Sequence, residues 1–206
     1  MGWEDNGGST RGFRGIKVGA MKSSSCERTL LVGKLATPVG PFAVACEPTG
    51  AVAATAFGDV AALLRRLEPG VKLIEGSEAD RVLAPVIAQL EAFFSGRRRD
   101  FDVAMAPKGS AFQLRVWQAL REIPAGETRS YGELAKGLGS SARAVGRANA
   151  TNPICVIVPC HRVIGANGEM TGFAFGVEIK QWLLEIERGE EVRRNRVEQG
   201  ELCCKK

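Results

Sequence analysis

Two short helical segments separated by a tight turn constrain this chain more than any other feature. Ser130 and Glu133 have capping-box spacing, in which a hydroxyl and a carboxylate reciprocally satisfy backbone amides at a helix start. A helix is expected over Tyr131–Leu138. Gly139-Ser140-Ser141 then turns the chain, and Ala142–Asn149 starts afresh as a second helix. Two short helices across such a turn make a helix-turn-helix. Phe112, Val116, Leu120 and Ile123 form an apolar stripe beginning after Ser110. Ile179, Trp182, Leu183 and Ile186 recur at the i, i+3, i+4, i+7 spacing of a packed C-terminal helix.

The preceding half reads differently. Thr29–Leu35, Phe42–Cys46 and Ala51–Phe57 are strand-like runs separated by Pro/Gly turns. Asp59–Leu67 is a short helix candidate, and Val71–Ile74 a further strand. Val86, Ile87, Leu90, Phe93 and Phe94 recur at helical spacing, with Pro85 tolerable in the first turn, and that helix ends near Gly96. The organisation expected is an N-terminal α/β domain over 28–106 and a mainly helical domain over 107–188. Residues 1–27 read as a disordered extension, with Met21 an alternative start, and 189–206 as a charged tail.

Composition excludes several classes. With 206 residues, 45% of them hydrophobic, the chain can build one or two cores. No apolar run approaches the ~18 residues of a membrane span, and no signal-peptide core precedes the strands. Six cysteines without a secretory signal do not imply disulfides. Cys26, Cys46 and Cys155 have neither a neighbouring histidine nor C-x-x-C spacing, so no metal site is expected. Cys203 and Cys204 read as exposed thiols in the tail. The net charge of +5 is a mild hint of a polyanionic partner. From Arg115 to Arg162 seven Arg and Lys face three Glu, which concentrates positive charge on the helix-turn-helix segment.

The chemistry-bearing motif is Pro159-Cys160-His161-Arg162-Val163, which follows the apolar run Ile154–Val158 and holds the one histidine of the chain. A thiol becomes a good nucleophile as the thiolate, and an imidazole can take its proton. Adjacent side chains usually point apart, so a bridging water or a turn would be needed to couple the two. For an isolated Cys-His pair, a buried cysteine beside a histidine is the plainer reading.

The residues around this pair resemble the O6-alkylguanine-DNA alkyltransferases. The similarity runs from Gly109 to Glu187 through Phe112-Gln113, Val116-Trp117, Ile123-Pro124-Ala125-Gly126-Glu127-Thr128, Ser130-Tyr131-Gly132-Glu133-Leu134-Ala135, Ala142-Arg143-Ala144-Val145-Gly146, Asn152-Pro153 and the Cys160 motif. Gly168, Gly172, Gly176, Lys180, Trp182-Leu183-Leu184 and Glu187 complete it. A looser likeness covers 28–57 through Thr37-Pro38-Val39-Gly40-Pro41. The resemblance implies a ribonuclease H-like N-terminal domain with a small antiparallel sheet, followed by a winged-helix-like domain.

It further implies transfer of an alkyl group from guanine O6 in duplex DNA to Cys160, with the nucleotide rotated out of the stack and the protein consumed. O4-methylthymine stays open as a second substrate. His161 would activate Cys160 through a water, Glu187 would orient His161, Tyr131 would protonate the leaving base, and Asn152 would brace the active-site turn. Arg143 would fill the space left by the nucleotide. Ala142, Ala144 and Gly146 would let the recognition helix approach the minor groove, with Ser130 and Arg147 also at the DNA. Val163, Met170, Phe173, Ala174 and Phe175 would form the substrate pocket. Phe175 stands where many relatives have glycine, and should narrow it. No cofactor, membrane or obligate protein partner is implied, and a monomer is expected. The compartment would be cytoplasmic, at the nucleoid in a bacterium or nuclear in a eukaryote. The alternative is a lesion-binding protein without catalysis.

Overall fold

The computed structural model describes residues 28–189. The expected extension over 1–27, with Met21 and Cys26, and the tail from residue 190 onward, with Cys203 and Cys204, lie outside the described residues.

The N-terminal part contains β1 (Thr29–Thr37), β2 (Gly40–Cys46), β3 (Val52–Phe57), α1 (Val60–Leu64), β4 (Lys72–Ile74) and α2 (Ser77–Phe94). The sheet order is β3-β2-β1-β4. β1, β2 and β3 are antiparallel neighbours, as expected, whereas β4 joins β1 in parallel, so the sheet is mixed. The parallel pairing follows from the crossover through α1, which returns the chain to the same end of the sheet.

Period-two alternation divides the strand residues between two faces. Phe42, Val44 and Cys46 pack with α2, and Ala43, Ala45 and Leu30 pack with Leu63 of α1. With both faces covered, every residue of β3 is buried.

α2 begins eight residues before Pro85, which is therefore interior and not in the first turn. The segment Ser77–Ala84 opens with four polar residues among its first five, which conceals its helical character in the sequence. Ala79 and Leu83 nevertheless extend the buried stripe of Val86, Leu90 and Phe93, and this packing outweighs the lost hydrogen bond at proline. Pro85 itself lies on the solvent side.

The second part contains α3 (Ala111–Arg121), β5 (Arg129–Ser130), α4 (Tyr131–Gly137), α5 (Ala142–Ala150), a single 3-10 turn (Cys160–Arg162), β6 (Val163–Ile164) and α6 (Val177–Arg188). The Ser130–Glu133 capping box is formed: Ser130 Oγ accepts from Glu133 N at 3.2 Å, and Glu133 Oε2 from Ser130 N at 2.6 Å. A second box, Ser110–Gln113, opens α3. Ser141 caps α5. The indole N–H of Trp117 donates to Ala148 O at 2.9 Å, which fixes α5 against α3. At Gly109 a Cβ would lie 2.6 Å from the Trp117 ring, so the entry to α3 requires glycine.

The two parts share one core. The free edge of β3 is covered by the second half: Thr55 N donates to Pro153 O at 2.8 Å, and Thr55 Oγ1 to Cys155 O at 2.7 Å. Next to it, Trp182 of α6 stacks on Phe94 of α2, with centroids 5.6 Å apart. The segment just ahead of Cys160 is thus seated on the N-terminal sheet.

Candidate active site

Three local structures converge on Cys160. Asn152, just past the end of α5, braces the loop leading to the cysteine, its Nδ2 donating to Val158 O at 2.9 Å and its Oδ1 accepting from Ile154 N at 3.0 Å. Within that loop Val156 holds φ at +74°, a left-handed conformation that a β-branched residue adopts only under constraint from its surroundings. Cys160 N then donates to Val158 O at 2.8 Å and starts the 3-10 turn. Finally, β6 pairs in parallel with β5, Arg129 opposite Val163 and Ser130 opposite Ile164. This pairing sets the start of the helix-turn-helix beside the cysteine segment.

A cavity of about 320 Å³ opens here, lined by Tyr131, Gly146, Asn149, Asn152, Cys155, Cys160, Phe173, Ala174 and Phe175, with Arg66 at its edge. Of the pocket residues expected from sequence, Phe173, Ala174 and Phe175 line it. Val163 and Met170 do not. Val163 is fully buried in β6, where its carbonyl accepts the Lys180 ammonium at 2.6 Å. Gly146 faces the cavity wall, where a Cβ would touch the Tyr131 ring at 3.8 Å. Ser130, Arg143, Ala144 and Arg147 lie along the helix-turn-helix, with Ala142, Arg143 and Arg147 exposed and Ala144 half-buried. Among the described residues, no side chain pairs with the Arg143 guanidinium.

Behind Cys160 lies a buried charge chain. His161 Nε2 meets Glu187 Oε1 at 2.8 Å, and both side chains are fully buried. Glu187 also accepts from Arg162 Nε at 3.0 Å, Arg162 Nη2 at 2.7 Å and Gly126 N at 3.1 Å. Arg162 Nη1 donates further to Ile123 O. Burial alone would raise the Glu187 pKa, but the donors from His161 and Arg162 outweigh it and hold the carboxyl down to about 2. Burial pushes the His161 pKa below its ordinary value, against the opposing pull of Glu187. The imidazole is therefore neutral at pH 7. Its Nδ1 is buried and has no partner among the described residues.

Burial also raises the Cys160 pKa, opposed by Asn152 and by the charges of Arg66 and Lys180. The resting thiol is therefore protonated at neutral pH. Cys155 lines the same cavity, but burial pushes its thiol up to about 12, which keeps it protonated at neutral pH. Burial likewise raises the Tyr131 phenol.

Sequence reading missed four participants. Arg162 and Lys180 lie inside recognisable family motifs, and only their burial shows that they hold Glu187 and the Val163 carbonyl. Asn149 had no signal beyond its place on α5. Arg66, from the N-terminal part, reaches the Ala150 and Asn152 carbonyls at 3.2 and 3.3 Å and lies 4.6 Å above the Phe175 ring. Among the described residues no group of His, Cys, Asp and Glu could hold a metal ion, and no helix is long and apolar enough to cross a membrane.

The chain is similar to known proteins along most of its length. Residues 30–107 match the 6-O-methylguanine DNA methyltransferase ribonuclease-like domain, and residues 111–189 match the DNA binding domain of the same family. A methylated-DNA–protein-cysteine methyltransferase of Methanosarcina acetivorans is 46% identical over 153 residues, covering 73% of this chain and 94% of that protein. One of Mycobacterium tuberculosis is 46% identical over 149 residues, covering 69% and 88%. The crystal structure of Mycobacterium tuberculosis OGT in complex with DNA superimposes with a TM-score of 0.66 at 39% identity, over 77% of this chain and 93% of that one. The chain belongs to the 6-O-methylguanine DNA methyltransferase family.

Proposed function

We propose that this protein repairs alkylated DNA by moving the alkyl group of O6-methylguanine onto Cys160, as a monomer that acts once. The observation that carries the reading is the cavity in which Cys160 and Tyr131 meet, backed by the buried His161–Glu187 pair.

In this scheme Cys160 Sγ attacks the sp³ carbon as the carbon–O6 bond breaks, and the bonding electrons stay with guanine. The thiol proton passes to His161 Nδ1, relayed by a water because no direct contact joins the two side chains. Glu187, held ionised by Arg162, holds Nε2–H and stabilises the imidazolium. The departing base takes a proton from Tyr131, and the phenolate recovers one from the imidazolium through the same relay. Thiol and lesion become thioether and guanine, with protons conserved. The thioether has neither a carbonyl for water to attack nor a good leaving group, so Cys160 is not regenerated.

The O6 atom is out of reach inside a duplex, so the nucleotide must rotate into the cavity, at a cost of about a few kcal/mol that damage lowers. Arg143, exposed at the start of α5 and without a hydrogen bond or ion pair among the described residues, would occupy the gap. Small residues on that helix, Ala142 exposed and Ala144 and Gly146 half-buried, would permit close approach to the groove.

The test is intact mass after mixing with duplex DNA bearing one O6-methylguanine, followed by peptide mapping. One methyl on Cys160, saturating at one equivalent and absent in Cys160→Ser, is expected. Lesion binding with no added mass would instead point to a sensor of damage.

A further inference from the structure

Asn149 sits in the last turn of α5, is only 5% exposed and lines the cavity. Its neighbours in the buried stripe of that helix, Val145 and Ala148, are apolar. Packing alone would therefore favour an apolar side chain here, since a buried amide is costly unless its donors and acceptors are used. Its Nδ2 has two partners. It donates to Cys160 O at 3.3 Å and to the Tyr131 phenol oxygen at 3.5 Å. Both distances are long, as catalytic hydrogen bonds often are before substrate closes the site. Because a carbonyl can only accept, the contact to Cys160 fixes which end of the amide faces the cysteine. Oδ1 is left buried without a partner among the described residues, so the side chain is kept for its nitrogen.

A phenol carries one proton and can accept at its oxygen. A neighbouring acceptor would capture that proton. Asn149 Nδ2 can only donate, so it occupies the oxygen and leaves the O–H free to point elsewhere in the cavity. Donation also stabilises the phenolate, the direction in which Asn149 moves the Tyr131 pKa against the larger effect of burial.

We propose that Asn149 is a positioning residue for alkyl transfer: its amide keeps the Tyr131 proton available for the leaving base and anchors the Cys160 carbonyl beside it. This rests on Tyr131 as the proton donor. The net reaction is unchanged, with the O–H bond of Tyr131 breaking as the N–H or O–H bond of guanine forms.

The experiment compares Asn149→Leu, which keeps the size and removes the donor, with Asn149→Asp, which keeps the shape and offers acceptors. Single-turnover transfer from O6-methylguanine duplex is expected to slow by about 10-fold or more in both, while lesion-duplex affinity stays within about twofold. Tyr131 is the one tyrosine of the chain, so ultraviolet titration of phenolate reads it directly, and its pKa is expected to rise in both variants. In a Tyr131→Phe background Asn149→Leu should add nothing. A slow Tyr131→Phe protein beside an unaffected Asn149→Leu protein with unmoved titration would overturn the inference alone. So would losses that multiply in the double variant. A wild-type rate in Tyr131→Phe would instead remove the proton-donor reading, and the positioning role of Asn149 with it.

Discussion

At the scale of single residues, the proposed transfer rests on three buried groups, Cys160, His161 and Glu187. In the proposed mechanism a thiol held protonated at rest is protected from indiscriminate alkylation, and its proton leaves when His161 accepts it. This makes a pH prediction whose sign is fixed. His161 must be neutral to act, and its pKa lies below the ordinary 6.5. Single-turnover transfer is therefore expected to be flat above that pH and to fall below it as the imidazole charges. His161 is the one histidine of the chain, so its own titration by NMR should coincide with the fall.

Stability follows the same groups. Both folded-state pKa values are depressed, so each contributes stability above its unfolded value that is lost as pH falls toward the folded value. For His161 the loss begins near 6.5, and for Glu187 it runs from 4.5 down to about 2. Urea midpoints should decline in two stages on acidification, and Glu187→Gln should lack the lower one. At neutral pH that variant leaves the Arg162 guanidinium buried without its charge partner, at a cost of about 3–5 kcal/mol.

At the scale of elements, the helix-turn-helix owes its start to a capping box and its pose to the β5–β6 pairing. Ser130→Ala removes the cap and should lower stability by about 1 kcal/mol, read as a shift in thermal midpoint. Arg143→Ala should behave differently, since among the described residues it breaks no hydrogen bond or ion pair. Repair of duplex DNA should fall far more than reaction with free O6-alkylguanine, because the base in solution needs no rotation. Equal losses on both substrates would remove Arg143 from the role. The capping box was legible because three-residue spacing between serine and glutamate is a local rule. The true start of α2 was not, because a polar first half shows its helical face only through Ala79 and Leu83.

At the scale of the whole molecule, the N-terminal sheet is a support for the site. Thr55 holds the Cys155 carbonyl, Arg66 holds the Ala150 and Asn152 carbonyls, and Trp182 stacks across the boundary on Phe94. Trp182→Ala should cost about 3–5 kcal/mol and leave one cooperative unfolding transition, since both halves share the lost contacts. Phe175 belongs to this scale as well. Its ring meets Phe57 at 5.4 Å and Phe173 at 5.6 Å, which fixes it at the cavity wall. Poor reaction with O6-benzylguanine relative to O6-methylguanine is expected, and Phe175→Gly should reverse it while lowering thermal stability. Rapid inactivation of the wild-type protein by the benzyl compound would contradict the narrowed pocket.

The residue order by itself determined the elements governed by nearest neighbours: the alternating strands, the capped helices, the turn between α4 and α5, and the Cys160-His161 motif. The resemblance carried by those motifs brought Tyr131, Asn152 and Glu187 into the same frame. What required the folded chain is whatever depends on groups distant in sequence. Arg66 reaches the site because β3 and α1 dock against the loop after Asn152. Arg162 secures Glu187 because α6 returns beside the 3-10 turn. Val163 leaves the pocket because its strand buries it, and Asn149 enters because α5 turns that face toward Tyr131. Local spacing sets hydrogen bonds a few residues apart, whereas burial, and with it every shifted pKa in the site, arises only when separate segments exclude water together.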